Sequence, residues 1–280
     1  MQIDGWKYYN HAAIPTTAPH EIPDISPITD GSIWKSGEGG TPLLARWTTE
    51  FDCGYETNWW YVIKDTPFEL STLKAKRRYE INKGNRNFVV KEITPTEWSE
   101  DIYKVAVAAY ETYPKSYRPN IEYDAFVEGV KSWGFYKVYG AFSVEDNAFC
   151  GYACLRKDVS YIDFCVMKAI PEKERLGLNA AMVYKVLDDH SEFLKMGGYI
   201  CDGARSIQHE TAFQEYLEKY FDFRKAYCHL NIIYNPKYSW GIWIAYKFRK
   251  ILNKLDFIPV IRTANALLKM EEINKDKNKG

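Results

Sequence analysis

The stretch Tyr161–Leu187, YIDFCVMKAIPEKERLGLNAAMVYKVL, decides how this chain is read. Its opening, YIDFCVM, is a buried strand by its aromatic and β-branched content. Pro171 stops the strand and Gly177 turns the chain. The remainder opens directly into an amphipathic helix, with Leu178, Met182 and Val186 on one side. A helix start leaves backbone N–H groups unpaired at the positive end of the helix dipole. Such a strand–turn–helix joint can hold a phosphate. The same residues also suit an ordinary joint, in which Pro171 and Gly177 only shape the turn.

On the upstream side, FVVKEI from Phe88 is a strand, and Thr94–Pro95 then starts a helix through TPTEWSEDIYKVAVAAYETY. A second helix follows Pro119. GFYKVYGAFSV, AFCGYACLRKD and YIDFCVMKA come next, separated by EDN and KDVS, as an antiparallel meander. Downstream of the quoted stretch, GGYICDGARS is a strand, HETAFQEYLEKYF a helix and AYCHLNIIYN a last strand. Nearer the N-terminus, a basic helix with Lys74, Lys76, Arg77 and Arg78 runs from Ser71 to about Asn82 and is ended by Gly84. It is either a solvated face or a patch for an anionic ligand.

Residues 1–32 are rich in Pro and Thr and read as an extended lead-in over a domain surface. Residues 33–65 read as short strands, with the Gly and Trp pairs in hairpins. The division is therefore a strand-rich extension over 1–70, a main domain over 71–235 and a helical tail over 236–280. In the tail, Trp240, Trp243, Ile244, Phe248, Ile251 and Leu255 fall near one side, among several cations. Such a helix packs on its own domain or on a second copy, or lies on a membrane surface.

With 37 cationic and 37 acidic side chains, the chain has no global field to draw nucleic acid or membrane. The 22 tyrosines, 14 phenylalanines and 9 tryptophans suit strand packing, and equally a cleft for sugars or peptides. None of the six cysteines has CxxC spacing or a zinc-like His pattern, so free thiols in a reducing compartment and no metal are expected. The opening MQIDGWKYYNHAAIP lacks a basic segment followed by an apolar run, and no apolar run reaches ~18 residues. A cytoplasmic protein without stable membrane insertion is the expectation.

The element order from Phe88 to Asn235 resembles the GNAT (acyl-CoA N-acyltransferase) superfamily. HETAFQEYLEKYFDF resembles that family's fourth helix, N-x-x-A-x-x-x-Y-E-K-x-G-F, with His209, Ala212 and Tyr216 at the Asn, Ala and Tyr positions. It holds about two extra residues near its end and lacks the Gly. The basic stretch LKAKRRYEINKGNRNFVVKEI is similar to the segment preceding a GNAT-like domain in Fem-type peptidoglycan aminoacyltransferases. The resemblance implies an α/β (α+β) fold: a mixed, mostly antiparallel sheet flanked by helices, with the N-terminal extension and the C-terminal helical tail added.

In function, it implies transfer of an acyl group, acetyl above all, from acyl-CoA to an amine of a small molecule or amino sugar. By the same resemblance, strands four and five part, and the donor's pantetheine pairs with strand-four backbone around Phe164, Val166 and Lys168. The pyrophosphate would sit on the loop entering the third helix, at Arg175, Gly177, Leu178, Asn179 and Ala180. That loop departs from the family's Q/R-x-x-G-x-G/A: Glu174 stands where a basic or amide residue is usual, and Asn179 replaces the second small residue. Tyr216 would be the acid near the sulfur. Asp163, a carboxylate in an apolar strand, is the candidate base; an Asp paired with Arg156 or Lys168 is the structural alternative. The Fem-like reading replaces acyl-CoA by aminoacyl-tRNA, and a binding module that kept only the fold is a third. A homodimer is compatible with all of them.

Overall fold

The computed structural model describes residues 2–35, 39–115, 118–207, 212–255 and 258–276. By internal contacts the chain forms two compact units. One comprises Met1–Val62, Ala204–Ala212 and Lys225–Gly280; the other comprises Ile63–Gly203 and Phe213–Arg224.

The first unit opens with β1 (Gln2–Ile3), β2 (Trp6–Tyr9) and β3 (Ala12–Pro15), then a single helical turn α1 (Ser26–Thr29). The expected extended lead-in is thus partly a sheet. Asn10 and His11 both take positive φ (46° and 64°), the geometry of a tight turn whose twist matches a hairpin, so β2 and β3 pair antiparallel. β4 (Leu44–Thr49) and β5 (Trp59–Lys64) follow. They are not sheet neighbours: the last strand of the chain lies between them in the sheet order and pairs antiparallel with β4. The long connection between them leaves room for that insertion, whereas a two-residue turn would not.

The second unit contains α2 (Ala75–Asn87), β6 (Phe88–Ile93), α3 (Pro95–Glu111) and α4 (Tyr123–Lys131). The meander β7 (Lys137–Ser143), β8 (Phe149–Lys157) and β9 (Tyr161–Ala169) follows. Then come α5 (Pro171–Glu174), α6 (Leu178–Asp189), α7 (Ser191–Lys195), β10 (Tyr199–Ala204) and α8 (Ala212–Phe221). Its strands run in the order β10-β9-β8-β7-β6, antiparallel except for the parallel β9–β10 pair. The sheet is covered on both sides, as two separate clusters show. Ile102, Val105 and Ala106 of α3 and Val130 of α4 pack with Val138, Phe142, Tyr152 and Cys154. Leu178, Ala181 and Met182 of α6 pack with Phe88, Ala141, Cys150 and Ala169. Fully burying side chains such as Leu178 and Met182 contributes about 1.5–3 kcal/mol each, which fixes the start of α6 against the sheet.

Gly84 does not end α2 as the sequence suggested; it lies inside the helix. A Cβ built there would stand 2.3 Å from the carbonyl oxygen of Gly177, so the position must be glycine for packing rather than for capping.

The chain closes, back in the first unit, with β11 (Arg224–Tyr234), α9 (Pro236–Lys247), α10 (Arg249–Leu252) and α11 (Pro259–Asp276). The N-terminal strands and the C-terminal helices therefore share one unit. Among the described residues, no helix is long and apolar enough to cross a membrane.

Candidate functional site

β9 and β10 pair only at Tyr161–Tyr199, Ile162–Ile200 and Asp163–Cys201. Beyond that rung they part. Two local features accompany the split. The β8–β9 register shifts between Cys154 and Leu155, whose partners are Val166 and Phe164, so Cys165 is an extra, bulged residue. Such a bulge bends its strand and strengthens its twist. On β10, Gly203 takes φ 94°, a backbone conformation open to glycine. The β10-facing backbone of Phe164 to Lys168 is left without a strand partner in this ladder.

Next to the split, α6 begins at Gly177 (φ 90°) with no side-chain cap. The first-turn N–H groups of Leu178, Asn179 and Ala180 therefore have no partner within the helix. They border a cleft of about 380 Å³ lined by Lys76, Arg77, Glu80 and Ile81 of α2, by Glu174, Gly177, Asn179 and Ala180, and by Tyr216, Tyr220 and Phe221 of α8. Asn179 Oδ1 is buried there and has no partner among the described residues. A half-turn of that amide would present its N–H₂ instead, so the position can serve a donor or an acceptor.

Not every residue singled out in the sequence reaches this cleft. Gly177 lines it, but its Cα face abuts α2, with Gly84 N 2.8 Å from a built Cβ. Lys83 Nζ donates to the Arg175 carbonyl at 2.6 Å and Asn87 Nδ2 to that of Leu176 at 3.0 Å, so α2 covers the outer side of the loop. Arg175 is exposed and does not line the cleft; Lys76 and Arg77 bring cations there instead. The Leu178 side chain belongs to the core. Val166 packs against the α3–α4 cluster. Lys168 Nζ donates to the Tyr113 hydroxyl at 2.7 Å and lies 4.8 Å from the Tyr110 ring centre, which commits it away from the cleft. Cys165 is exposed. His209 lies outside the described residues.

Phe164 meets Phe213 edge-on at 5.7 Å, and Phe213 stacks on Tyr216 at 6.2 Å. This aromatic series runs from the split to the cleft. Burial chiefly, with lesser contributions from Tyr220 and Glu80, pushes the Tyr216 phenol above its ordinary range. Tyr216 is thus a neutral hydrogen-bond donor throughout the working pH range. Arg77 lies 3.3 Å above the Tyr220 ring.

Asp163 takes the structural alternative: its Oδ2 accepts from Arg156 at 2.8 Å, and Arg156 also donates to the Tyr161 hydroxyl at 3.4 Å. Successive strand residues face opposite ways. With Phe164 directed at α8, Asp163 points to the other face and does not share Tyr216's side. The carboxylate that does is Asp202, which the sequence reading missed. It lies on β10 one residue beyond the last paired rung. Buried Gln214 of α8 donates its side-chain amide to the Asp202 carbonyl at 3.4 Å. Burial raises the Asp202 carboxyl to about 7, Gln214 partly offsetting it and Asp163 adding a smaller push upward. The signal was available, since a lone carboxylate in YICDGA is as anomalous as one in YIDFCVM.

The first unit has a cleft of its own, about 630 Å³, lined by Glu50, Tyr55, Glu56, Trp59 and His229 among others. Among the described residues, none of those that line it is Lys or Arg. Among the described residues, no cluster of three or more His, Cys, Asp or Glu is placed to hold a metal.

No protein-family model matches the sequence, and comparison with curated protein sequences finds none that is similar. Solved structures do match. FemX superposes with a TM-score of 0.52 at 9% identity, covering 76% of this chain and 77% of that one. L-PGS from Bacillus licheniformis gives 0.48 at 11% identity, covering 86% and 83%. A GCN5-related N-acetyltransferase-like protein from Streptococcus suis gives 0.34 at 11%, covering 74% and 67%. At these identities the likeness is one of fold: this chain and FemX share a mixed α/β fold.

Proposed function

We propose that the protein is an N-acyltransferase that moves an acyl group from acyl-CoA to the amine of a small molecule or amino sugar. The observation that carries this reading is the parting of β9 and β10 after Asp163, beside the uncapped start of α6. The donor's amides would pair with the open backbone from Phe164 to Lys168. Its phosphates would meet the N–H groups of Leu178, Asn179 and Ala180, with Lys76 and Arg77 as counter-charges. Asp202, poised near neutrality, takes the proton as the amine nitrogen attacks the thioester carbon. The C–S bond breaks, and Tyr216 donates a hydrogen bond to the departing sulfur. Full proton transfer from a phenol raised by burial to a thiolate is uphill, so Tyr216 acts by hydrogen bonding and the thiolate takes its proton from solvent.

One observation favours an aminoacyl-tRNA donor instead. Glu80 and Glu174 place two carboxylates in the cleft, balancing Lys76 and Arg77. They oppose a pyrophosphate but suit the ammonium group of an aminoacyl ester. Calorimetry with coenzyme A, acetyl-CoA and a charged tRNA separates the two. Saturable CoA binding that Lys76→Gln weakens supports the first reading, and binding of charged tRNA alone supports the second. Binding of neither overturns acyl transfer and leaves a binding module.

Tyr216→Phe keeps the ring contacts with Phe213 and Tyr220, so melting temperature and donor affinity should stay near wild type. Turnover, followed as thioester cleavage with a panel of amines, should fall ~10²-fold, the lower end for a lost proton donor. Full turnover in the variant would make Tyr216 a packing residue.

A further inference from the structure

The twenty residues Pro236–Leu255 carry five cations, Lys237, Lys247, Arg249, Lys250 and Lys254, and no carboxylate, in a chain of zero net charge. They form α9, α10 and a closing helical turn, and none of the residues in α9 or α10 is buried. The segment is nonetheless held in place. Asn235 Oδ1 caps α9 by accepting from Lys237 N at 3.1 Å. On the side toward α11, Lys275 Nζ lies 3.6 Å from the Tyr246 ring centre, Arg249 Nε lies 3.6 Å from Glu272, and Asn265 Nδ2 donates to the Leu252 carbonyl at 3.1 Å.

Several large apolar side chains of the segment are nonetheless open. Trp240 is 73% exposed, Trp243 51%, Phe248 55% and Ile251 58%. Lys247 reaches back over the Trp243 ring at 3.6 Å, so cation and indole share one patch. A helix packed on its own domain would bury these rings. Trp beside Lys and Arg is the composition of the membrane–water boundary, where the ring enters the headgroup layer and the cation meets phosphate. With twelve and four residues, α9 and α10 are too short to span a bilayer but long enough to lie on one.

We propose that this face docks the protein on an anionic lipid surface, Trp240, Trp243, Phe248 and Ile251 entering the headgroup layer and Lys237, Lys247, Lys250 and Lys254 meeting lipid phosphates. The docking is independent of the donor used in the other unit.

Co-sedimentation with phosphatidylcholine vesicles containing about one third phosphatidylglycerol tests it. The full chain should sediment with these vesicles, much less with phosphatidylcholine alone, and less again at high salt, where screening shortens to a few ångströms. Trp240→Ala with Trp243→Ala should lower partitioning at least ~10-fold. Lys247→Gln and Lys250→Gln should lower it about five-fold each. All four side chains are solvent-facing, and an unchanged melting temperature checks that the variants fold. Failure of the wild type to sediment overturns the proposal, as does equal sedimentation of the tryptophan variant. So does a dimer in light scattering that Trp240→Ala/Trp243→Ala dissociates, since the face then belongs to a second copy.

Discussion

Asp202→Asn is expected to lower turnover ~10²–10⁴-fold, the range for loss of a general base, while donor binding is retained. In the wild-type protein, kcat/KM should rise with pH through about 7 as the carboxyl ionises, and the variant should lose that limb. Asp163→Asn is the comparison. Asp163 is paired with Arg156 in a partly exposed bridge, contributing no more than about 1 kcal/mol, so its variant should keep both the limb and most of the turnover. If Asp163→Asn abolishes the limb and Asp202→Asn does not, the roles are reversed.

Stability gives an independent readout of the same group. The Asp202 carboxyl sits at about 7 when folded, against 3.8 for an exposed aspartate, so the native state holds its proton more tightly than the unfolded chain. The stabilisation this gives is complete below pH 3.8 and is lost as pH rises through about 7. A tenfold change in proton affinity corresponds to about 1.4 kcal/mol, so the contribution is on the order of a few kcal/mol. Asp202→Asn carries no such loss. Relative to wild type, its melting temperature should therefore improve on going from about pH 4 to about pH 8. A gap that does not move with pH would mean that water reaches Asp202 freely.

Gly84→Ala should destabilise the fold, against the usual direction. Alanine within a helix is ordinarily favoured over glycine by about 1 kcal/mol. Here the new methyl would meet the Gly177 carbonyl oxygen at 2.3 Å and the Ala181 methyl at 3.1 Å. Overpacking against backbone costs about 1–3 kcal/mol, so the contact outweighs the propensity. Gly177→Val is worse. A β-branched residue is forced to φ 90°, and its Cβ would lie 2.8 Å from Gly84 N and 3.0 Å from Glu80 O. A combined loss of about 3–5 kcal/mol corresponds to a fall of roughly 10 °C in thermal melts. α2 also carries Lys76 and Arg77 into the cleft, so both variants should weaken donor binding in proportion. A rise in melting temperature for Gly84→Ala would refute the seating of α2 on the Gly177 loop.

The order of strands and helices from Phe88 onward was legible in the chain because it depends on local rules. Side-chain period, Pro95 at a helix start, and Pro171 and Gly177 as breaks each act within a few residues. The resemblance added the parting of two strands, and the β9–β10 ladder does stop at Asp163. Other features depended on segments far apart in sequence. Gly84 reads locally as a helix end; only the approach of the distant Gly177 loop makes it an interior contact. The Trp pair reads locally as part of a hairpin, whereas in the sheet β11 stands between β4 and β5. Asp163 and Asp202 are equivalent anomalies in the sequence. Their difference comes from which face each occupies, from the Arg156 guanidinium beside one and from the burial against α8 of the other. Local pattern fixes which elements form, since it is set by backbone geometry and side-chain period. Charge state and neighbours are set by contacts between distant segments, and those exist only once the sheet has chosen its register.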